Sequence, residues 1–164
     1  IELIEAAKLI KDKYSNIFFT IIGSVDYENS SSLNINQLSE LKKYFKHIEF
    51  TDQIYTYIVD CDCFVLPSYR EGTSMSLLEA ASVGRPIVTT DVPGCNNIVK
   101  ENYNGYLCEP MNIQSLFSKI EKMINTDYET RLKMGINSRK IIKDKFDIHI
   151  INNEIVKEII NENK

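Results

Sequence analysis

Two carboxylates, Glu71 and Glu79, flank the turn Gly72-Thr73-Ser74-Met75-Ser76, which runs directly into an apolar helical pattern. An apolar run ending at Pro67 precedes the turn. A strand, a Gly/Thr/Ser turn and a helix start make a backbone shape suited to an anion. The first amides of a helix have no internal partner, and its dipole favours negative charge there. Gly72 permits close approach of the backbone, while Thr73, Ser74 and Ser76 add hydroxyl donors. If the helix starts near Ser74 or Met75, the amides of Ser74, Met75 and Ser76 are the natural phosphate cradle. Glu79, one turn further on, is placed for a ribose diol. Glu71, ahead of the turn, reaches the other end of a diphosphate, where a sugar would sit. Both acids stay clear of the phosphates, which they would repel. The segment proposes a nucleotide-sugar site.

Purely structural roles fit the same spacing. Ser76-Leu77-Leu78-Glu79 has the form of a capping box, in which Glu79 only satisfies the backbone at Ser76. Glu71 beside Arg70 could be an exposed turn pair contributing about 0–1 kcal/mol. Spacing alone leaves both pairs of roles open.

The elements that must position these residues alternate. Ile1–Tyr14 has apolar residues at helical spacing, and Ile17–Ile22 is a continuous apolar run expected to be a strand buried on both faces. A Ser- and Asn-rich loop then leads to a helix over Asn36–Phe45. Short strands are expected at Ile48–Phe50 and Cys63–Leu66, with a helix over Ile54–Val59 between them. The helix Met75–Val83 stops at Gly84 and Pro86, and a strand follows at Ile87–Thr90. Asn96–Lys100 suggests a short helix and Asn104–Gly105 a turn before the strand Tyr106–Cys108. From Asn112 onward the pattern is helical, over Ile113–Asn125, Tyr128–Phe146 and His149–Asn163. Alternating strands and helices predict an α/β fold, a doubly wound parallel sheet with helices on both faces and a helical C-terminus. In such sheets ligands lie outside the carboxyl ends of the strands, which selects the loop carrying Glu71 to Ser76.

Composition narrows the function. The 164 residues suffice for one domain with a sizeable core. A net charge of −4 argues against a nucleic-acid partner, which leaves a basic footprint. The four cysteines, Cys61, Cys63, Cys95 and Cys108, fit no zinc spacing, so no metal site is expected. With no export signal visible, they read as reduced thiols of a cytoplasmic protein. The chain begins inside a helix and is expected to be part of a longer polypeptide. His47 and His149 stand alone and receive no role. Asp60 and Asp62 read as an ordinary strand entry.

The segment Phe64–Gly84, FVLPSYREGTSMSLLEAASVG, resembles the signature of retaining GT-B glycosyltransferases of the sucrose-synthase and glycogen-synthase-like family. That signature is a strand, Pro-Ser, two glutamates separated by seven residues, and a helix ending in Gly-x-Pro. Glu71 and Glu79 match the pair, and Gly84-Arg85-Pro86 matches the helix end. IVTTDVPGCNNIV and ENYNGYLCEP are similar to the family's next two stretches. The resemblance covers nearly the whole chain as the family's carboxyl-terminal, donor-binding domain.

The resemblance implies that Glu71 contacts donor-sugar hydroxyls and Glu79 the ribose hydroxyls. Backbone amides at Ser74 and Met75 would hold the distal phosphate. Ile54, in the loop that begins at Thr51, would lie near the base, and Gly23 close to the nucleotide. Ser74 stands where many members have Gly, and Asn97 where many have Glu. The resemblance further implies a nucleotide-diphosphate sugar as donor, retention of anomeric configuration and no required metal or cofactor. Acceptors would be saccharides or lipid-linked saccharides, bound through an amino-terminal domain missing from residues 1–164. Peripheral association of the full protein with the inner face of the membrane would accompany a lipid-linked acceptor. An Arg and a Lys that members supply to the diphosphate lie before the first helix seen here, so this segment alone is expected not to turn over. Two competing readings are a sugar-nucleotide epimerase of the same architecture and a non-catalytic α/β binding module.

Overall fold

Parallel strands can be joined only by crossovers, and most apolar runs here are followed by a stretch able to make one. The computed structural model describes residues 1–24 and 35–162. In chain order the elements are α1 (Glu2–Lys13), β1 (Phe19–Ile22), α2 (Ile35–Tyr44), β2 (Phe45–Ile48), α3 (Ile54–Asp60) and β3 (Phe64–Leu66). There follow α4 (Met75–Ser82), β4 (Ile87–Thr90), β5 (Gly105–Cys108), α5 (Ile113–Asn125), α6 (Tyr128–Lys145) and α7 (Ile148–Glu162). The expected Ser- and Asn-rich loop falls largely on 25–34, outside the described residues.

β4 is buried along its whole length and is the middle strand of a parallel sheet. β3 pairs on one side, with Phe64 opposite Ile87, and β5 on the other, with Gly105 opposite Ile87. Side chains alternate across this sheet with the period of a strand. Cys63, Val65, Val88 and Tyr106 pack with Ile10 of α1 and Leu116 of α5. Phe64, Leu66 and Ile87 pack with Ile58 of α3, and with Leu77 and Ala80 of α4. Helices therefore cover both faces, as the alternation of elements predicts.

β1 and β2 form a second parallel pair, with Phe19 opposite Phe45 and the two ring centroids 5.3 Å apart. Ile4 and Ala7 of α1 and Leu41 of α2 close the core beneath this pair. α1 thus serves both sheets, through Ala6 and Ile10 on one side and Ile4 and Ala7 on the other. Among the described residues no ladder joins the two sheets.

Several sequence expectations shift. The run Ile17–Ile22 is not buried on both faces: Thr20 is exposed and Phe18 is 85% exposed. Only the Phe19 and Ile21 side of this strand is covered, by α1 and α2. β2 occupies Phe45–Ile48 rather than Ile48–Phe50, because Phe45 is the residue that meets Phe19. β3, one of the two outer strands of its sheet, is half-buried. Asn96–Lys100 belongs to a run of turns rather than a helix, held by bonds from the Asn96 amide to Val92 O and from the Val99 amide to Cys95 O.

Two buried features tie α6 to the rest. Asn104 is fully buried and fully used: its Oδ1 accepts from the Lys100 amide at 2.7 Å, and its Nδ2 donates to Ile98 O at 3.1 Å and Ser138 Oγ at 3.3 Å. Gly135 presses against the chain just beyond α4, where a Cβ would lie 2.1 Å from Gly84 O. Gly135→Ala therefore lowers stability by about 1–3 kcal/mol, the usual range for overpacking. Thermal unfolding checks this, with an expected fall in Tm of roughly 3–10 °C.

Candidate functional site

α4 is anchored by Leu77, Ala80 and Ala81, all fully buried, and it starts where Ser74 takes an extended conformation (φ −71°, ψ 112°) as its N-cap. The Ser74 hydroxyl lies 3.2 Å from the Ser76 hydroxyl, and no side chain caps the helix. The capping box that the spacing allowed is not formed. The cap falls two residues before Ser76, and the Glu79 side chain is exposed. The helix start is left as a group of amide donors beside Thr73, Ser74 and Ser76, with Met75 68% exposed at its rim.

Glu71 is half-buried, and its Oε1 accepts a hydrogen bond from Ser68 Oγ at 2.7 Å. The Glu71–Gly72 turn rests on Gly94. With φ at 87°, Gly94 sits so close that a Cβ there would lie 1.7 Å from Gly72 O and 2.7 Å from Glu71 O. Gly72 itself has open space where its Cβ would be. Two threonines of β4 fix the strand end that leads into the turn. Thr89 Oγ1 donates to Leu66 O at 2.7 Å, and Thr90 Oγ1 donates to Ser68 O. Sequence reading passed over Gly94, Thr89 and Thr90 as supports. The only available signals were the Pro93–Gly94 turn and two hydroxyl residues closing an otherwise apolar strand.

A clasp sets the position of this turn against α1. The Tyr69 hydroxyl, just after β3, donates to the carboxylate of Glu2 at the start of α1. A helix that leads back to a parallel strand begins at the carboxyl end of the sheet, so the clasp puts the carboxyl ends of β1 and β3 on one edge. The Tyr69 hydroxyl holds the Glu2 carboxyl below its usual 4.5, and the Glu2 carboxylate in turn holds Tyr69 above its usual 10.0. Stability from the lowered Glu2 is present above pH 4.5 and fades as pH falls through the folded-state value. Stability from the raised Tyr69 is present below pH 10.0 and fades as pH rises through the folded-state value. The expected result is that wild type exceeds Tyr69→Phe in Tm at neutral pH, and that the gap closes at both extremes. Thermal scans from about pH 3 to 11 check it.

The other two sequence-selected residues lie at the ends of β1 and β2. Gly23 is exposed; its amide donates to Ile48 O at 3.0 Å, and His47 Nε2 lies 2.9 Å from Gly23 O. His47, given no role in the sequence, thus braces Gly23. Ile54 opens α3 at 36% exposure, after a turn in which the Gln53 amide donates to Thr51 Oγ1 at 3.0 Å. The structure therefore ties Gly23 to the end of β2, from which the chain runs on to the Thr51–Ile54 loop, and packs the Glu71–Gly72 turn on Gly94. Among the described residues no hydrogen bond runs directly between the two groups. Nor do any three His, Cys, Asp or Glu side chains among them gather as a metal-binding group. Burial pushes the Cys108 thiol up to about 11 and raises Cys63 and Cys61 as well, which keeps these thiols protonated and unreactive.

Comparison with known proteins follows the same segments. A family model described as glycosyl transferases group 1 matches residues 1–141. The capsular polysaccharide biosynthesis glycosyltransferase CapM of Staphylococcus aureus is 32% identical over 158 residues, covering 94% of this chain and 40% of CapM. The N,N'-diacetylbacillosaminyl-diphospho-undecaprenol alpha-1,3-N-acetylgalactosaminyltransferase of Campylobacter jejuni is 32% identical over 137 residues, covering 84% of this chain and 35% of that protein. The chain thus spans little more than a third of the length of these two relatives. Among solved structures, a mutant of S. aureus TarM crystallised with fondaparinux, alpha-GlcNAc-glycerol and UDP superimposes with a TM-score of 0.84 at 25% identity, over 95% of this chain and 31% of TarM. The resemblance carried by Phe64–Gly84 extends over most of the sequence, and the chain belongs to the glycosyl transferases group 1 family.

Proposed function

We propose that this chain is the donor-binding half of a retaining glycosyltransferase that takes a nucleotide-diphosphate sugar and passes the sugar to a saccharide or lipid-linked saccharide. One observation carries the reading. An uncapped helix start, set beyond the carboxyl end of a parallel sheet, has a braced carboxylate before it and, a turn beyond, one with no side-chain hydrogen bond among the described residues. Transfer leaves negative charge on the departing phosphate while positive charge develops at the anomeric carbon. Fixed donors aimed at that phosphate stabilise the transition state, because they need no reorganisation as the charge appears. The amides of Ser74, Met75 and Ser76 and the hydroxyl of Thr73 take this role. Gly72, with open space before it, lets the diphosphate approach the backbone. Glu79 accepts from the ribose diol. Glu71, oriented by Ser68, accepts from the donor sugar and fixes the anomeric carbon relative to the leaving group. Gly23 and Ile54 border the base.

The relatives' names support the acceptor class, since one acts on a diphospho-undecaprenol-linked sugar and another builds capsular polysaccharide. No helix of the described residues is long and apolar enough to cross a membrane. The acceptor-binding domain and the remaining diphosphate ligands, an Arg and a Lys, belong to the rest of a polypeptide of the relatives' length. The test is a donor screen of that full-length protein by mass spectrometry, with the anomeric proton coupling of the product read by NMR. Transfer with retained configuration supports the reading. Binding of a nucleotide sugar followed by epimerisation, or no nucleotide binding by the folded protein, overturns it.

A further inference from the structure

α6 lies away from the donor turn, and its outer face has a composition that the proposed reaction does not use. At about 100° per residue, Tyr128, Leu132, Ile136, Lys140 and Lys143 fall within one arc of roughly 120°, and Lys133 borders it. Tyr128, Leu132 and Ile136 are 67%, 47% and 61% exposed, an apolar stripe along the first half of the helix. Lys133, Lys140 and Lys143 are exposed and form no ion pair among the described residues. Arg139 shares the arc, with one guanidinium nitrogen donating to Ser82 O at 2.7 Å. Glu129 is the carboxylate inside the arc, and Asp144 stands at its margin. Over the whole helix six basic residues face two acidic ones, in a chain where Asp and Glu outnumber Lys and Arg 23 to 19. The charge of this helix is opposite in sign to that of the chain as a whole.

Beside this face opens a cavity of about 760 Å³, whose walls include Arg85, Leu132, Ile136, Lys140, Lys143 and the carboxylate residue Asp144. Arg85 Nη1 donates to Cys61 O at 2.9 Å, while its buried Nε has no acceptor. The walls join apolar side chains to cations that outnumber the single acid, Asp144. That pairing suits a molecule with an anionic head and a hydrocarbon body, and suits poorly either a free phosphate or a purely apolar partner.

We propose that the outer face of α6 and its adjoining cavity dock on the surface of an anionic phospholipid bilayer. Lys133, Lys140 and Lys143 meet the phosphate layer, and Tyr128, Leu132 and Ile136 enter the headgroup–acyl boundary. An interfacial helix of this kind combines buried apolar area with attraction to anionic lipid, so both halves contribute. The assignment does not depend on the donor reading, because it uses none of the residues from Glu71 to Glu79.

Co-sedimentation of the 164-residue chain with vesicles tests it. One set is phosphatidylcholine alone, and the other contains about a third phosphatidylglycerol. Wild type is expected to bind the anionic set, to ignore the neutral set, and to be released when salt rises from about 0.1 M to 0.5 M. Charge reversal at Lys133, Lys140 and Lys143 lowers partitioning at least tenfold. Leu132→Ser with Ile136→Ser lowers it several-fold. Reversal at Lys42 and Lys43 on α2, which are also exposed, leaves it unchanged. Circular dichroism and Tm confirm that each variant is folded. No preference for anionic vesicles, equal loss from the α2 reversal, or wild-type binding by either folded α6 variant overturns the proposal. So does a chain that ignores vesicles and dimerises through Leu132 and Ile136 in sedimentation.

Discussion

Glu79→Gln is expected to weaken nucleoside-diphosphate binding by about 10- to 100-fold while leaving Tm nearly unchanged. The magnitude follows from a hydrogen bond to a charged acceptor, about 1.5–3 kcal/mol, lost from a diol. The neutrality in stability follows from the structure. The Glu79 side chain is exposed, and no side chain caps α4, so its charge supports nothing in the fold. A capping role would give the opposite pattern, a stability loss of roughly 0.5–2 kcal/mol with unchanged affinity. Calorimetric titration and thermal unfolding of the same variant therefore separate the two roles. Glu71→Gln is expected to differ again. A glutamine oxygen can still accept from Ser68, so the turn keeps its shape while the charge is lost. Transfer by the full-length protein slows, and nucleotide affinity changes little.

The second large effect contrasts two glycines, Gly72 in the turn itself and Gly94 packed beneath it. Gly72 lies in the turn proposed to meet phosphate, and Gly94 is the residue on which that turn rests. Alanine at 94 places a side chain in a left-handed conformation, which costs about 1–2 kcal/mol. It also drives a methyl into the carbonyls of Glu71 and Gly72. Together these should lower stability by roughly 2–4 kcal/mol. The corresponding fall in Tm is about 5–15 °C. Because the backbone that displaces is the donor turn, nucleotide affinity should fall with it. Gly72→Ala should do the reverse, since its Cβ would enter open space. Its Tm stays close to wild type while affinity drops, because the space it fills is the proposed approach of the diphosphate. Paired Tm and affinity measurements on both variants check this. A Gly72→Ala variant that binds nucleotide as wild type does would place the phosphate elsewhere.

Much of this architecture was legible because local signals agreed with tertiary demand. Ile87–Thr90 reads as a buried strand from its composition and is one, since sheet partners and helices surround it on every side. Ile113–Asn125 carries its own start signal, Asn112, whose Oδ1 accepts from the Ser115 amide. The misplacements occur where a partner decides. β2 begins at Phe45 because Phe19 lies opposite, and nothing local marks that pairing. Phe18 is exposed just ahead of β1 and Thr20 is exposed within it, so an apolar run alone overstated the burial of this segment. In the proposed site, Glu71 and Glu79 can be named from sequence because their residue type is their chemistry. Gly94, Thr89, Thr90 and His47 cannot, because they act through backbone contacts between segments distant in sequence.

The central claim is that the opening amides of α4 hold the diphosphate of an activated sugar. Titrating the ¹⁵N-labelled chain with UDP, to roughly millimolar concentration, tests it residue by residue. The account predicts saturable shifts that are largest at the amides of Ser74, Met75 and Ser76, extend to Gly72 and Glu79, and weaken in Glu79→Gln. Saturable binding whose shifts leave Ser74 to Ser76 unmoved would contradict it.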